Sequence, residues 1–273
     1  MMQSSESHDA IESMPDLGPE PRFTLWGGSR SVDDTEMARL YAYPDIDESR
    51  VWVRANFIAS LDGGATADGR SGGLAGPGDR TLFTLLRSLA DVVVVGAGTV
   101  RIENYGGARL GVTQRRQRRD RGQSEVPQLA IVTRSGQLSR DLRIFADTEL
   151  PPLVVTCSAA ADEARQRFSG QAEVLGCSGA DAEQVDLAVM LAELAGRRQR
   201  RVLTEGGPSL LGSLIEHGLL DELCLSVAPY LIGGTAKRIA TAPGELKTPM
   251  HCAHLLADES GYLYGRYVAG TRL

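Results

Sequence analysis

The stretch Arg201-Val202-Leu203-Thr204-Glu205-Gly206-Gly207-Pro208-Ser209-Leu210-Leu211-Gly212-Ser213 decides the architecture. A short apolar run without alternation ends in a carboxylate, two glycines turn the chain, and a pattern of helical period follows. Such a run suits a strand buried in a sheet that is covered on both faces. Ser209 can cap the helix that follows, and the amides of the turn then form a seat for a pyrophosphate. Capping does not explain Glu205. A carboxylate held at the end of an apolar strand points to chemistry more than to packing.

Working outward, the same strand-then-helix unit recurs. Upstream lie VWVRANFIAS (residues 51–60), a helical pattern over 79–89, DVVVVG (91–96) and, beyond a long polar loop, QLAIVT (128–133). LVVTC, a helix near 159–168, AEVLGC and a helix near 186–197 lead into the opening stretch, and a helix over 209–219 leads on to ELCLSVAPYLIGG. This alternation predicts an α/β chain with a mostly parallel sheet between two layers of helices. The end of the chain differs. CAHLLADESGYLYGRYVAG reads as two strands joined by a turn at 258–261, and a hairpin is antiparallel, so the sheet is expected to be mixed.

With 273 residues, 42% hydrophobic and 23% charged, the chain can bury a sizeable core. Residues 1–21 are rich in Ser, Glu, Asp and Pro and are expected to form a mobile tail. Residues 22–273 contain no linker composition and no repeat, and are expected to form a single domain. No run of about 18 apolar residues occurs, and the N-terminus is acidic and polar, so neither a membrane span nor a signal peptide is expected. Cys157, Cys177, Cys224 and Cys252 are scattered, with no C-x-x-C pair, which fits a reducing cytoplasm. A net charge of −6 argues against nucleic acid as the main partner and moves small molecules forward. Arg115, Arg116, Arg118, Arg119 and Arg121 form a local exception, read as a solvated face or as a patch for phosphate or an acidic partner. His251, Cys252 and His254 do not make a metal site, because residues i and i+3 of a regular strand point to opposite faces. His217 falls in the last turn of a helix, where a cation favours the dipole.

Ligands of open α/β sheets bind beyond the carboxyl ends of the strands. Besides the opening stretch, three strand ends carry unusual residues. Ala59-Ser60-Leu61-Asp62-Gly63-Gly64 places Asp62 either in an ordinary turn or at a site mouth. Gly96-Ala97-Gly98-Thr99-Val100-Arg101 suits close backbone approach to a phosphate, although Arg101 occupies the last glycine position of a G-x-G-x-x-G fingerprint. Thr133-Arg134-Ser135 offers an arginine between two hydroxyls, a seat for a 2′-phosphate that would select NADPH over NADH.

Taken together and in order, ASLDG, GAGTVR, VTRSG, TEGGPSLLG and DELCLSVAPYLIGG resemble the reductase domain of the RibD family, which has a dihydrofolate reductase-like fold. The resemblance spans about residues 51–268 and is nearest to stand-alone mycobacterial RibD-like reductases. It implies a three-layer α/β/α domain that binds NADPH and forms a homodimer. By position it implies cofactor contacts from Ala59, Thr99, Glu103, Thr133, Arg134 and Ser135. It further implies Gly206, Gly207, Pro208, Ser209, Leu210, Leu211, Gly212 and Ser213 around the pyrophosphate and nicotinamide. Glu205 would face the substrate, with Arg87 and Arg109 on its ribose phosphate and Ser71 nearby.

The zinc-deaminase signatures of bifunctional relatives are absent, so reduction alone is implied. Where the family often reads DDP, this chain has Glu103-Asn104-Tyr105. The implied reaction is hydride transfer from NADPH to 5-amino-6-(5-phosphoribosylamino)uracil, with Glu205 and Asp62 polarising the pyrimidine and handling protons. Two alternatives stay open: reduction of a pterin, and an NADPH-binding protein without turnover.

Overall fold

A computed structural model describes residues 31–270; the tail expected over 1–21 lies outside them. The strands are β1 (Trp52–Ser60), β2 (Val92–Gly96), β3 (Gln128–Val132), β4 (Leu153–Thr156), β5 (Glu173–Gly176), β6 (Arg201–Thr204), β7 (Glu222–Ala228), β8 (Met250–Ala257) and β9 (Leu263–Ala269). The helices are α1 (Asp34–Leu40), α2 (Pro77–Leu89), α3 (Ala97–Ile102), α4 (Val112–Asp120), α5 (Arg143–Ala146), α6 (Ser158–Arg167), α7 (Leu187–Gly196) and α8 (Pro208–Glu216). A short 3-10 turn covers Ser71–Gly73.

The strands form one sheet in the order β5-β4-β3-β2-β6-β1-β7-β9-β8. Pairings from β5 through to β7 are parallel, and β9 pairs antiparallel with both β7 and β8, so the sheet is mixed as expected. Strand alternation sorts the core into two layers. Ile58, Val93, Val95, Leu129, Ile131 and Leu203 pack with Leu82 and Leu86 of α2 on one face. Val53, Val92, Val94, Ala130, Leu153 and Val202 pack with Met190 and Leu194 of α7 and Leu211 and Leu214 of α8 on the other.

The arginine run is divided: Arg116, Arg119 and Arg121 are exposed, as a solvated face would have them, while Arg118 is buried. The run lies on α4, inside the region read as a polar loop. Arg118 is fully buried and donates to the carbonyls of Ser88 and Ala90 at 3.1 and 2.5 Å, the open C-terminal end of α2. Arg121 adds a bond to Ser88 O at 2.8 Å. Arg115 is paired with Glu149 at 2.6 Å and with Glu125 at 3.3 Å. The run closes the last turn of α2, whose terminal carbonyls have no partner within the helix.

The histidine argument also needs correction. A register shift between Cys252 and His254 lets His251 pair with Val268 and His254 with Arg266, which brings both to the same face of β8. His254 meets Tyr41 edge-on at 4.8 Å, and among the described residues no three candidate metal ligands converge.

Beneath α1, Arg54 and Glu222 are fully buried and joined at 2.7 Å. Arg266 bonds the same carboxylate at 2.8 Å and reaches the carbonyl of Leu40, and Trp52 Nε1 donates to it at 2.9 Å. Replacing Glu222 with Leu would leave Arg54 as an unmatched buried charge, at a cost of about 3–5 kcal/mol. Urea unfolding of Glu222→Leu is expected to show that loss; a change within 1 kcal/mol would mean that the cluster is not stabilising the β1–β7–β9 packing.

Candidate active site

β6 lies between β1 and β2, so the order of strands runs outward in both directions from it, and a crevice opens at the carboxyl ends there. Gly96 N bonds to Gly206 O at 2.7 Å, tying the end of β2 to the glycine turn that follows β6. The Gly206–Gly207 peptide is cis. A Cβ at Gly206 or Gly207 would stand 3.0 or 2.9 Å from Thr99 atoms, so side chains here would fill the space between the two turns. The cap of α8 is Gly207, not Ser209, because Pro208 takes the first helical position, where its missing N–H costs nothing. No side chain caps the helix, so the amides of its first turn remain as donors at the crevice.

Glu205 follows directly. Its side chain is 1% exposed and accepts from Arg87 Nε at 2.8 Å, Arg87 Nη2 at 2.6 Å and Tyr105 Oη at 2.6 Å. A carboxylate has about four acceptor sites, so one is left for a ligand. Burial works against the Arg87 charge, but Glu205 outweighs it and raises the guanidinium pKa. Burial and the neighbouring Glu205 raise the Tyr105 phenol well above its ordinary value, so it remains a donor. Arg87, expected on a substrate phosphate, bonds Glu205 and also borders the adjoining hollow, with the Phe83 ring centre 4.2 Å from its guanidinium carbon.

These elements surround a cavity of about 1620 Å³. Thr99, Glu103, Thr133, Arg134, Ser135 and Glu205 line it, as do Ser71, Gly206, Gly207, Pro208, Ser209, Leu210 and Ser213. Leu211 and Gly212 do not: Leu211 is core, and a Cβ at Gly212 would collide with the carbonyl of Thr241. Ala59 is buried in β1 and is also absent from the lining. Glu103 accepts from the amide and hydroxyl of Ser71 at 2.8 and 2.9 Å, so these two residues bond to each other. His217 borders the cavity, with Nδ1 2.9 Å from Ser213 O.

Asp62 stands outside the cavity. Its carboxylate bonds the Ser60 hydroxyl and accepts from the amides of Gly233 at 2.6 Å and Ile232 at 3.2 Å. Those donors, the Ser60 hydroxyl first, lower its pKa to about 2, so it is ionised near neutrality and holds no proton to give. What Asp62 holds is the strap of residues 229–249 between β7 and β8. The strap is also fixed by Ala65 N to Lys237 O at 2.8 Å and by Thr241 N to Pro208 O at 3.0 Å, and its residues 232–237 line the cavity.

Arg109, exposed over 74% of its side chain, lies in an adjoining hollow of about 350 Å³ bounded by Phe83, Arg87, Tyr105 and Arg143. Arg109 and Arg143 both pair with Asp147. Glu103 lines the hollow as well, so Arg109 and Arg143 stand there with two carboxylates, Asp147 and Glu103. Arg143, Tyr105, Asn56, Asp79 and the loop 179–187 were not expected from the sequence. Only Asp79, in the first turn of a recognisable helix, carried a local signal.

A mixed, mostly parallel sheet with its crevice at β6, a glycine turn against Thr99 and a buried acid in its wall define an α/β protein with a ligand site at the carboxyl ends of its strands. The chain belongs to the RibD C-terminal domain family, which matches residues 51–264. It is 30% identical over 186 residues to a 2,5-diamino-6-ribosylamino-4(3H)-pyrimidinone 5′-phosphate reductase of Archaeoglobus fulgidus, spanning 68% of this chain and 83% of that protein. The same identity, over 190 residues, 69% of this chain and 82% of the relative, holds for the reductase of that name from Methanothermobacter thermautotrophicus. Among solved structures, a pyrimidine reductase-like protein from Corynebacterium diphtheriae superposes with a TM-score of 0.73 at 27% identity, covering 81% of this chain and 93% of that one.

Asp62→Ala is expected to release the strap: hydrogen exchange at the Ile232 and Gly233 amides should accelerate by an order of magnitude or more. Exchange at the wild-type rate would show that the carboxylate does not hold it.

Proposed function

We propose that the protein is an NADPH-dependent reductase acting on 5-amino-6-(5-phosphoribosylamino)uracil or its 2,5-diaminopyrimidinone counterpart. The observation that carries this reading is the hollow with two guanidinium groups, Arg109 and Arg143, that opens beside the Arg87–Glu205–Tyr105 wall. A ribose phosphate in the hollow would place an attached heterocycle along that wall. A pterin without phosphate leaves the hollow with no counterpart, so the pterin reading is not favoured.

The cofactor fits the glycine cradle and the uncapped first turn of α8, which suit a pyrophosphate, and the exposed Arg134 between two hydroxyls, which suits a 2′-phosphate. When bound, the nicotinamide supplies a hydride. The chain's own part is to orient: Glu205 offers its remaining acceptor site to a ring N–H, and Arg109 and Arg143 fix the phosphate.

On this reading residues 22–273 act as one reductase domain. The reading also includes a cytoplasmic homodimer. The free thiols of Cys157, Cys177, Cys224 and Cys252 suit a reducing compartment, and exposed Leu61, Tyr230 and Leu231 suit an interface.

NADPH oxidation with the phosphoribosylaminopyrimidines, and with dihydrofolate in parallel, tests the reading. Arg143→Ala should raise KM for the phosphorylated substrate by about 10-fold or more, the worth of a charge-assisted hydrogen bond of about 1.5–3 kcal/mol, with NADPH affinity unchanged. Arg134→Ala should weaken NADPH far more than NADH in fluorescence titrations; equal weakening would remove its 2′-phosphate role. Activity on dihydrofolate alone would replace the proposed substrate by a pterin.

A further inference from the structure

Reduction of a C=N bond takes up a proton as well as a hydride, and the acids already described are poorly placed to give one. Glu205 is an acceptor for Arg87 and Tyr105, and Asp62 is ionised and outside the cavity. Of the other acids lining the cavity, Glu103 is bonded to Ser71, Asp181 to the Glu183 amide and Asp186 to the Ala188 amide, while Asp68 stands exposed in a turn. Asp79 remains.

Asp79 sits in the first turn of α2, half-buried, in the cavity wall. Phe83 and Arg87 follow at i+4 and i+8 on the same face of the helix, so Asp79, Phe83 and the Arg87–Glu205 pair form a rail about 12 Å long, at 1.5 Å per residue. Behind the first turn, Asn56 of β1 and Ser226 of β7 occupy the side of the sheet that α2 covers. Asn56 lines the cavity, is 8% exposed and has an amide oxygen without a partner. Ser226 is fully buried, and its hydroxyl has no hydrogen-bond partner among the described residues.

We propose that Asp79, seated against Ser226 and Asn56, is the acid of this site, the carboxyl that delivers the proton taken up in the reduction. The proposal rests on the reductase reading above. In the step, the hydride adds to the ribosyl carbon of the C=N bond, the π pair moves to nitrogen and takes the Asp79 proton, and a secondary amine and the Asp79 carboxylate result. Solvent in the cavity then reprotonates the carboxylate.

The surroundings agree. Burial raises the Asp79 pKa, with Ser226 and then Arg80 of α2 acting in the opposite sense. From the hairpin, Tyr262 and Tyr264 lie within electrostatic reach, and both phenols are shifted upward, which keeps them neutral; Tyr264 donates to Asp258.

The test uses the full chain. Asp79→Asn should lower kcat by about 10²–10⁴-fold, the usual worth of a positioned proton donor, while NADPH titration stays as in the wild type. Wild-type kcat should fall as pH rises through the Asp79 pKa, and Asp79→Asn should lack that limb. Ser226→Ala removes a hydroxyl whose influence favours the charged form, so its limb should move to higher pH. A second readout needs no turnover: the ¹³C carboxyl signal lost in Asp79→Asn should titrate above those of exposed carboxyls, and higher still in Ser226→Ala. Turnover of Asp79→Asn within a few-fold of wild type, or an Asp79 signal that titrates with the exposed carboxyls, would overturn the proposal and leave the reductase reading standing. A wild type that binds NADPH but oxidises it with no phosphoribosylaminopyrimidine would overturn both.

Discussion

The bidentate pair between Arg87 and Glu205 is the constraint on which the cavity depends. A carboxylate this deeply buried, 1% exposed, is tolerable only when its charge is matched and its lone pairs are engaged. Matching it requires α2 to lie against the end of β6 at one height and one rotation, and requires the chain after α3 to bring Tyr105 to the same oxygen. Three segments far apart in sequence are thereby fixed at one point. The pair is close to neutral as a unit, so the wall can present a polar edge to a ligand without repelling an anion beside it.

The rest of the architecture holds the participants of that pair in place. At its far end α2 is closed by Arg118, whose buried guanidinium takes the carbonyls that the helix leaves open. Burial lowers the pKa of Arg118 to about 10, still well above neutrality, so it caps as a cation, the sign that a helix C-terminus favours. On the opposite rim, the strap is pinned through Asp62 at one end and by the close approach of Thr241 to Gly212 at the other. Both devices place side chains at the cavity through contacts that are not themselves in it.

Strands, helices and hairpin were legible because each is a local pattern: an apolar run, a helical period, a turn. The glycine turn after β6 was legible for the same reason. Pairings between remote segments were not. Arg87 and Glu205 stand 118 positions apart, and nothing in the chain says that a helical arginine meets a strand-end acid. The capping role of Arg118 and Arg121 was not legible because their acceptors are backbone carbonyls, which every residue carries and no sequence displays. Ser209 was misread although the signal was present: proline prefers the first helical position, which moves the cap back to Gly207. Leu211 and Gly212 show a further limit of transfer by position, since successive helical residues point about 100° apart and a continuous run cannot all face one ligand.

Acid–base roles within one cavity follow from unlike environments for like groups. Glu205 faces a cation and a phenol, which hold it as an acceptor. Asp62 faces a hydroxyl and backbone amides, which hold it ionised and outside the cavity. Asp79 has the buried Ser226 hydroxyl and two neutral phenols within electrostatic reach, with its neighbour Arg80 as the counter-charge. In that setting desolvation is the leading influence, and it favours the protonated carboxyl. The α2 rail therefore carries a fixed acceptor at one end and, at the other, a carboxyl whose pKa burial raises. A ligand lying along the rail would meet both.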